Sequence, residues 1–317
     1  MAHELHTRNG KTSMAYVGQT PWHGLGQELT EGASLDTWKR EAGMNYEIHH
    51  APVQYSDGTS TRMMPGRRIL YRNDTGDALG FVSNSYQCVQ PGEVLEFFRD
   101  LTEERGFVLE TAGVLFEGRK YWALARVPNE FSMGKDKVKA NLLLATACDG
   151  SMATTAKFVA TRVVCNNTIQ MAMGERGGNV SRTRHNTRFN ADSVKSELDI
   201  FQKSWDETET LIRSLNKRSV KVEEAVKYLI AVIGEKDKPL EEQSNAPTIA
   251  LIAKNFTEKT YIGADMSKDT AWGLVNCVTE HVDHVRGRGV DRRLDHAWFG
   301  VGVDIKMRAL AEARAFV

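Results

Sequence analysis

The sequence predicts an α+β protein, with an antiparallel sheet and an embedded helix in the N-terminal half and a helical C-terminal half that contains a long helix hairpin. Three observations predict this class. Strand-like runs separated by turn signals fill most of residues 44–164, their connections are hairpin-short, and from residue 192 the apolar residues change to helical spacing. Short connections without intervening helices favour antiparallel pairing.

The strand-like runs of the N-terminal half are rich in β-branched and aromatic residues. Turn signals separate them, for example SDGTST at 56–61 and NDTGD at 73–77. Residues 90–106 instead predict the embedded helix, because Pro91 suits a first turn, apolar residues recur on one face and Gly106 ends the pattern. The strand-like runs are residues 44–55, 67–72, 78–89, 107–118, 119–128, 136–150 and 151–164.

From Asp192 onward, apolar residues recur at alternating spacings of four and three, which predicts a long helix that packs against a partner helix. Residues 219–234 supply an adjacent helix that ends at Gly234, so we expect a helix hairpin. Packing within the chain is favoured over a coiled coil between chains. The seam residues are Val194, Leu198, Phe201, Trp205, Thr208, Ile212 and Leu215.

The change of pattern near residue 190 divides the chain into a mixed, sheet-rich core at residues 1–190 and a mainly helical region at residues 191–317. It is a change of secondary-structure type, so the two regions are also compatible with one continuous domain. A chain of 317 residues can bury a substantial core in either arrangement.

The composition is that of a soluble globular protein, with 41% hydrophobic and 26% charged residues. No apolar run reaches the roughly 18 residues of a membrane span, and the polar N-terminus lacks the apolar core of a secretory signal. We therefore expect an intracellular protein without a membrane partner. The four cysteines are far apart, which favours free thiols over a disulfide framework.

Positive charge is concentrated in one window of the chain. The net charge is zero, which argues against a protein that is basic throughout, but residues 157–190 contain six bases and a single acid, Glu175. Arginine offers a fork of donors that matches phosphate oxygens, and asparagine adds neutral hydrogen bonds to phosphate or sugar. The window therefore predicts a segment that contacts nucleic acid.

The candidate nucleic-acid-binding residues combine this window with a second basic, glycine-rich cluster at residues 284–293. If residues 179–186 are extended, Arg182 and Arg184 point to the same face. The alternative interpretation is a solvated basic loop that pairs with the acidic helix at residues 192–210. The candidates are Lys157, Arg162, Asn166, Asn167, Arg176, Arg182, Arg184, His185, Arg188, Arg286 and Arg288.

The window itself divides into two pieces. Residues 162–173 (RVVCNNTIQMAM) predict a short helix that starts at an Asn-rich cap and packs Ile169, Met171 and Met173 near the sheet. Residues 174–187 (GERGGNVSRTRHNT) predict a flexible basic segment, which its glycines allow to approach a ligand closely.

Signals for catalysis are weak. Cys277, His281 and His284 share one sector of a predicted helix and are residue types that bind zinc, but they flank its apolar stripe, as partly buried helix residues do. The chain contains no P-loop, no dinucleotide fingerprint and no nucleophile elbow. Asp149, in CDGS, is typical of a turn. The sequence therefore predicts no cofactor and gives no enzyme class positive support.

The motifs MAHEL, PWHGLG, NSYQCVQPGEVLEFFRDL, AGVLFEGRKYWALARV, CDGS, RVVCNNTIQMAM with RTRHN, TAWGLVNCVTEHVDHVRG and AWFGVG follow one another over almost the whole chain. In content and order they resemble the phage/plasmid-like protein family, a domain-of-unknown-function family of bacterial and phage genomes. The resemblance implies a role in DNA metabolism in the cytoplasm of a bacterial host cell. In outline, the layout is also similar to the ATP-independent single-strand annealing proteins of the RecT and Redβ kind.

The leading hypothesis is a protein that binds or anneals single-stranded DNA in recombination or replication, without ATP and as a homo-oligomer. One alternative is a metal-dependent hydrolase or nuclease that uses Cys277, His281 and His284. Another is a phage-encoded interaction or assembly protein that works through the seam of residues 194–215.

Overall fold

The structure, a computed structural model, divides into two compact units. Unit 1 comprises residues 1–128, 141–158 and 180–199, and unit 2 comprises residues 129–140, 159–179 and 200–317. The residues that the structure describes are 7–8, 10–18, 25–133, 136–162, 168–170, 180–192, 201–235, 238–239, 242–243, 246–286 and 290–317.

Most of the described strands lie in the N-terminal half, where the sequence predicts them. Their order along the chain matches the predicted order of strand-like runs and turns. The strands are β1 (Thr7–Arg8), β2 (Lys11–Thr12), β3 (Met14–Val17), β4 (Gln27–Leu29), β5 (Ile48–Ser56), β6 (Thr61–Arg72), β7 (Ala78–Ser83), β8 (Val108–Leu115), β9 (Lys120–Met133), β10 (Asp136–Ala147), β11 (Thr154–Arg162), β12 (Thr168–Gln170) and β13 (Val180–Thr183).

The largest sheet has the strand order β12-β11-β10-β9-β8-β3-β4, and β13 also pairs with β11. Strand β11 pairs antiparallel with both β12 and β13, and β8 does so with β3 and β9. Strands β5, β6 and β7 form a separate three-stranded antiparallel sheet. The predicted antiparallel arrangement is therefore confirmed, with the parallel pair β3–β4 as an exception at one edge.

The helix predicted at residues 90–106 is present as two short helices, α2 (Pro91–Glu96) and α3 (Arg99–Glu104), which follow α1 (Leu35–Glu41). A capping box starts α2, in which the Gln90 backbone N–H donates to Glu93 at 2.6 Å. The chain turns at Phe97 and Phe98, whose rings meet edge to face at 5.0 Å and are both buried. Adjacent residues of one straight helix point about 100° apart, so the turn lets both rings reach the core. The predicted apolar face is buried at Val94, Leu95, Phe98 and Leu101.

Unit 2 is built mainly of helices around a central one. Helix α7 is buried from Ala271 to Thr279 and contacts α4, α6 and α9. Its N-cap is Thr270, whose hydroxyl accepts the Gly273 N–H at 3.1 Å. The helices are α4 (Phe201–Lys217), α5 (Val222–Ile233), α6 (Pro247–Glu258), α7 (Ala271–Glu280) continued by a π-helical turn (His281–Val285), α8 (Val290–Trp298) and α9 (Val301–Ala313).

The predicted α+β class is confirmed, including consecutive long helices that residues 218–221 connect. Helix α4 packs on α7, while α5 packs on α6 and α9. Trp205 of the α4 seam contacts Phe131, with 5.4 Å between ring centroids. Val194 and Leu198 lie outside the described residues, as does the Phe201 side chain. The described seam side chains are buried within unit 2, namely Trp205, Thr208, Ile212 and Leu215.

One predicted element is wrong. Residues 168–170 form strand β12, whereas the sequence predicts a short helix there, and Ile169 lies opposite Ala160 of β11. A short apolar run fits a helix and a strand equally well, and here the free edge of β11 supplies hydrogen-bonding partners for a strand. Arg162, at the start of that predicted helix, is the last residue of β11, and residues 163–167 and 171–173, which include Met171 and Met173, lie outside the described residues.

Candidate nucleic-acid interface

Strand β13 carries the candidate Arg182 along an edge of unit 1, and the candidate Arg184 follows directly after the strand. It pairs with the first residues of β11, and Arg182 lies opposite Thr155. From residue 181 to residue 185, exposed positions alternate with partly buried ones, and Arg182 and Arg184 are both exposed. Residues 180–183 are extended, which is the condition under which Arg182 and Arg184 share a face, and both side chains are exposed.

His185 fixes the chain directly after this strand. Its ring stacks on Tyr86 at 4.6 Å between centroids, with 21° between the ring planes. Its Nδ1 lies 3.0 Å from the Gln87 carbonyl oxygen, and its Nε2 lies 3.0 Å from that of Met152. The Gln87 N–H also donates to the His185 carbonyl at 2.5 Å. His185 is one of the predicted nucleic-acid ligands, yet both of its ring nitrogens face backbone carbonyls.

A second aromatic contact fixes the chain four residues later. The Phe189 ring lies 5.9 Å from the ring of Phe97, which is buried. Between the two anchors the Thr187 N–H donates to the Arg184 carbonyl at 3.0 Å and forms a turn. Arg188 is exposed in this turn region. We call residues 182–188 the arginine segment, because it presents three exposed arginines on a backbone that is fixed at both ends.

The arginines of this segment are available to a ligand. Within the described part of the chain, Arg182, Arg184 and Arg188 form no ion pair with a carboxylate. In the acidic helix that the alternative interpretation invokes, Glu209 pairs with Arg213 at 2.7 Å. A phosphate that binds these guanidinium groups would therefore replace water and salt ions.

The other candidates have different placements. Lys157 is only 7% exposed and lies on β11, a strand with paired neighbours on both of its edges. Arg286 is exposed directly after the π-helical turn of unit 2. Four candidates lie outside the described residues, namely Asn166, Asn167, Arg176 and Arg288. The backbone of Arg162 is described, but its side chain is not.

The metal alternative gains no support. Cys277 is buried, and His281 and His284 are partly buried in the π-helical turn. Burial, with a smaller contribution from Arg286, lowers the pKa of His281. Across the described ranges of the chain, no three His, Cys, Asp or Glu side chains are grouped so that they could hold a metal ion.

A cluster of thiols and tyrosines in unit 1 was not singled out by the sequence. Burial raises the pKa of Cys88 to about 11 and holds the pKa of Cys148 well above its usual range. A neutral thiol is a poor nucleophile, so both cysteines are unreactive at neutral pH. The cluster is also held together by hydrogen bonds, since Tyr46 donates to the Gly118 carbonyl at 3.0 Å and the Cys148 thiol lies 3.6 Å from the same oxygen.

The charge inside this cluster is compensated. Arg72 is 3% exposed, and two of its nitrogens donate to Asp74 at 2.9 and 3.0 Å. Its guanidinium carbon lies 3.8 Å from the centre of the Tyr46 ring, and it also donates to the Glu117 carbonyl at 3.1 Å. The cluster is therefore a satisfied structural network and offers neither a reactive thiolate nor a free charge.

Sequence reasoning also missed Tyr86, which positions the arginine segment through His185. No local signal identifies it, because the two residues are far apart in the chain. The NSYQCV motif that contains Tyr86 and the RTRHN motif that contains His185 are both among the sequence resemblances. Their contact gives one physical reason for both motifs to occur together.

Comparisons with known proteins give one match. No curated protein and no solved structure matches the chain. Among the described helices, none is both long enough and apolar enough to cross a membrane. A family model described as a domain of unknown function, DUF932, matches residues 78–298, which include β7 to β13 and the arginine segment. The match covers more than half of the chain, so the chain belongs to this family of uncharacterised domains, DUF932.

Proposed function

We propose that the protein binds single-stranded nucleic acid, with DNA favoured, and that the arginine segment holds the phosphates. The observation that carries the proposal is the set of three exposed arginines without an ion-pair partner in the described part of the chain. Arg182 and Arg184 are two residues apart on an extended chain, about 7 Å along the strand. An extended phosphate backbone that runs along residues 182–184 meets both guanidinium forks.

The anchors of the segment favour binding further. Ordering a flexible loop on binding reduces affinity by about 0.5–1.5 kcal/mol for each immobilised side chain. Here the His185–Tyr86 stack and the Phe189–Phe97 contact already fix the backbone on either side of Arg188. Less conformational entropy is therefore lost when phosphates bind.

The biological setting that we propose is ATP-independent annealing during recombination or replication of phage or plasmid DNA, in the cytoplasm of the bacterial host. The resemblance to the phage/plasmid-like family and the absence of a P-loop from the sequence support this setting. Annealing needs an oligomer that presents one strand in order. Mass photometry tests this part separately, because a strict monomer counts against annealing and leaves strand binding unaffected.

Gel shifts with a labelled DNA strand at about 50 mM salt test the binding proposal. We expect the wild-type protein to bind and the double variant Arg182→Ala/Arg184→Ala to bind at least about tenfold more weakly, because two phosphate contacts are lost. The matched control is Arg308→Ala/Arg314→Ala, which removes two exposed arginines from unit 2. No binding by the wild type, or an equal loss in both variants, contradicts the proposal.

A further inference from the structure

The three-stranded sheet of unit 1 has one exposed face that combines rings with positive charge. Ile69 of β6 lies opposite Ala51 of β5 and Phe81 of β7, so these three side chains share a face. By the alternation of a strand, Arg67 and Tyr71 lie on the same face. We call this surface the ring face and define it by His49, Arg67, Ile69, Tyr71 and Phe81.

The planar groups on this face are exposed or partly exposed and meet in two pairs. Phe81 is 49% exposed, and the Arg67 guanidinium carbon lies 5.5 Å from the centre of its ring. His49 lies opposite Tyr71, and their rings meet edge to face at 5.9 Å. Three adjacent strands therefore present planar groups that can stack on other planar groups.

The opposite face of the same sheet belongs to the hydrophobic core. Ile48, Leu70 and Val82 point to that side, and each is at most 6% exposed. The backbone beneath the ring face is thus fixed by core packing and by ladder hydrogen bonds to both neighbours of β6. A rigid sheet that carries exposed rings is a suitable platform for unstacked bases.

A short stretch of chain and the Tyr86–His185 stack connect the ring face to the arginine segment. Arg67 lies opposite Ser83, and the next residue, Asn84, donates its N–H to the Gly66 carbonyl at 3.3 Å. Arg68, from the other face of the strand, donates to the Tyr86 carbonyl. The Tyr86 ring in turn stacks on His185, which directly follows Arg184 in the chain. A few residues of unit 1 therefore connect the two surfaces.

The positive charge of the ring face lies at its Arg67 end. Arg67 has no carboxylate partner in the described part of the chain. The carboxylates near this face lie at its other end, since Glu47 is 3.1 Å from the His49 ring and Asp77 precedes Ala78, which lies opposite Tyr71. Asp57, at the hairpin turn, pairs with Arg62 at 3.2 Å. Among the five side chains that define the ring face, Ile69 is the only large aliphatic one. They therefore do not form the broad aliphatic surface that a protein partner would require.

We propose that the ring face stacks the bases of a single nucleic-acid strand whose phosphates the arginine segment holds, with Phe81 and Tyr71 as the stacking residues and Arg67 as the cation between base and phosphate. This inference rests on the proposed function and adds to it the site of the bases. It makes binding depend on bases as well as on phosphates. It also predicts tolerance of sequence, because every base has a flat face.

Fluorescence anisotropy with two labelled strands of equal length tests the inference, one of oligo-dT and one of abasic phosphodiester. Phe81→Ala should weaken binding of oligo-dT by about 5- to 150-fold and leave binding of the abasic strand unchanged, because a stacked base is lost. Phe81→Trp should keep or strengthen oligo-dT binding. Arg182→Ala/Arg184→Ala should weaken both strands alike, since it removes phosphate contacts.

The controls separate this inference from the proposed function. Leu251→Ala truncates a comparably exposed apolar side chain of unit 2 and should change neither affinity. If the wild type binds oligo-dT and Phe81→Ala binds it equally well, the inference is overturned and the proposed function still stands. No binding of either strand by the wild type overturns both. If Phe81→Ala abolishes self-association and leaves the affinity for oligo-dT unchanged, the ring face binds a second copy of the chain, and the inference is overturned.

Discussion

At the scale of single residues, His185 shows how a side chain in a basic segment can serve the backbone. Each of its ring nitrogens lies 3.0 Å from a carbonyl oxygen, one of Gln87 and one of Met152. A neutral imidazole donates to one of these oxygens at a time, whereas an imidazolium donates to both. In either form, the ring joins the segment after β13 to two distant parts of unit 1.

Replacing His185 by Phe keeps a ring on Tyr86 and removes the contacts to both carbonyls. We expect the free energy of unfolding to fall by about 0.5–1.5 kcal/mol, because the partly buried Met152 carbonyl loses its contact, whereas the exposed Gln87 carbonyl regains water. His185→Ala should cost more, since the stack is lost as well. Urea denaturation measures the change, with exposed Asn186→Ala as a control. Identical midpoints for the wild type and His185→Phe would show that the carbonyl contacts contribute nothing.

The placement of individual side chains could be predicted where it depends on local periodicity. Arg182 and Arg184 share an exposed face because a strand alternates with a period of two, and the sequence contains that information. Lys157 is buried on β11, which has paired strands on both sides, and the His185 ring stacks on Tyr86. Those contacts join distant parts of the chain, so the sequence near Lys157 and His185 carries no sign of them.

At the scale of elements, apolar spacing predicted long segments well and short ones badly. The heptad-like seam correctly predicts α4, whose Ile212 and Leu215 are fully buried. Residues 168–170 were assigned wrongly, because three residues are too few to show a period and the edge of β11 decides their conformation. The break between α2 and α3 was also missed, since Phe97 and Phe98 fit one helical face only in part.

The π-helical turn after α7 contains the described chain's most completely buried ion pair. Lys306 of α9 donates to Asp283 at 2.7 Å, and the two side chains are 4% and 6% exposed. Such a pair contributes little compared with apolar residues of equal size, but removal of one partner leaves a buried charge. The pair therefore fixes how α9 packs on this turn.

Lys306→Met should lower the free energy of unfolding by about 3–5 kcal/mol, because it removes one partner of a buried ion pair. The double variant Lys306→Met/Asp283→Leu should be more stable than Lys306→Met alone, since no buried charge remains. Urea denaturation of the wild type, both single variants and the double variant gives the coupling energy. Additive losses in the double variant would show that the two residues do not interact.

At the scale of the whole molecule, the fold class could be predicted, because it depends only on the order of strand-like and helical patterns along the chain. The compact units could not be derived in the same way. The chain passes between them near residues 128, 140 and 158, inside or beside strands β9, β10 and β11. No linker composition marks these positions, because a continuous strand needs none.

The overall charge of the molecule gives no attraction for nucleic acid. The net charge is zero and the sequence pI is about 7.1. Binding of a polyanion must then depend on a local excess of positive charge, such as the window of residues 157–190. Salt screens charges over about 8–10 Å at ordinary ionic strength, so only groups near the bound strand contribute.

The salt dependence of binding distinguishes local from overall charge. The logarithm of the binding constant falls with the logarithm of salt concentration, with a slope of about 0.7 for each phosphate neutralised on a single strand. Arg182→Ala/Arg184→Ala/Arg188→Ala should therefore reduce the steepness of this slope by about 2. The control Lys227→Ala/Arg308→Ala/Arg314→Ala changes the net charge equally at exposed sites of unit 2 and should keep the slope. Anisotropy titrations of a single strand across a salt series measure both variants. Equal slopes would mean that the arginine segment does not hold the phosphates.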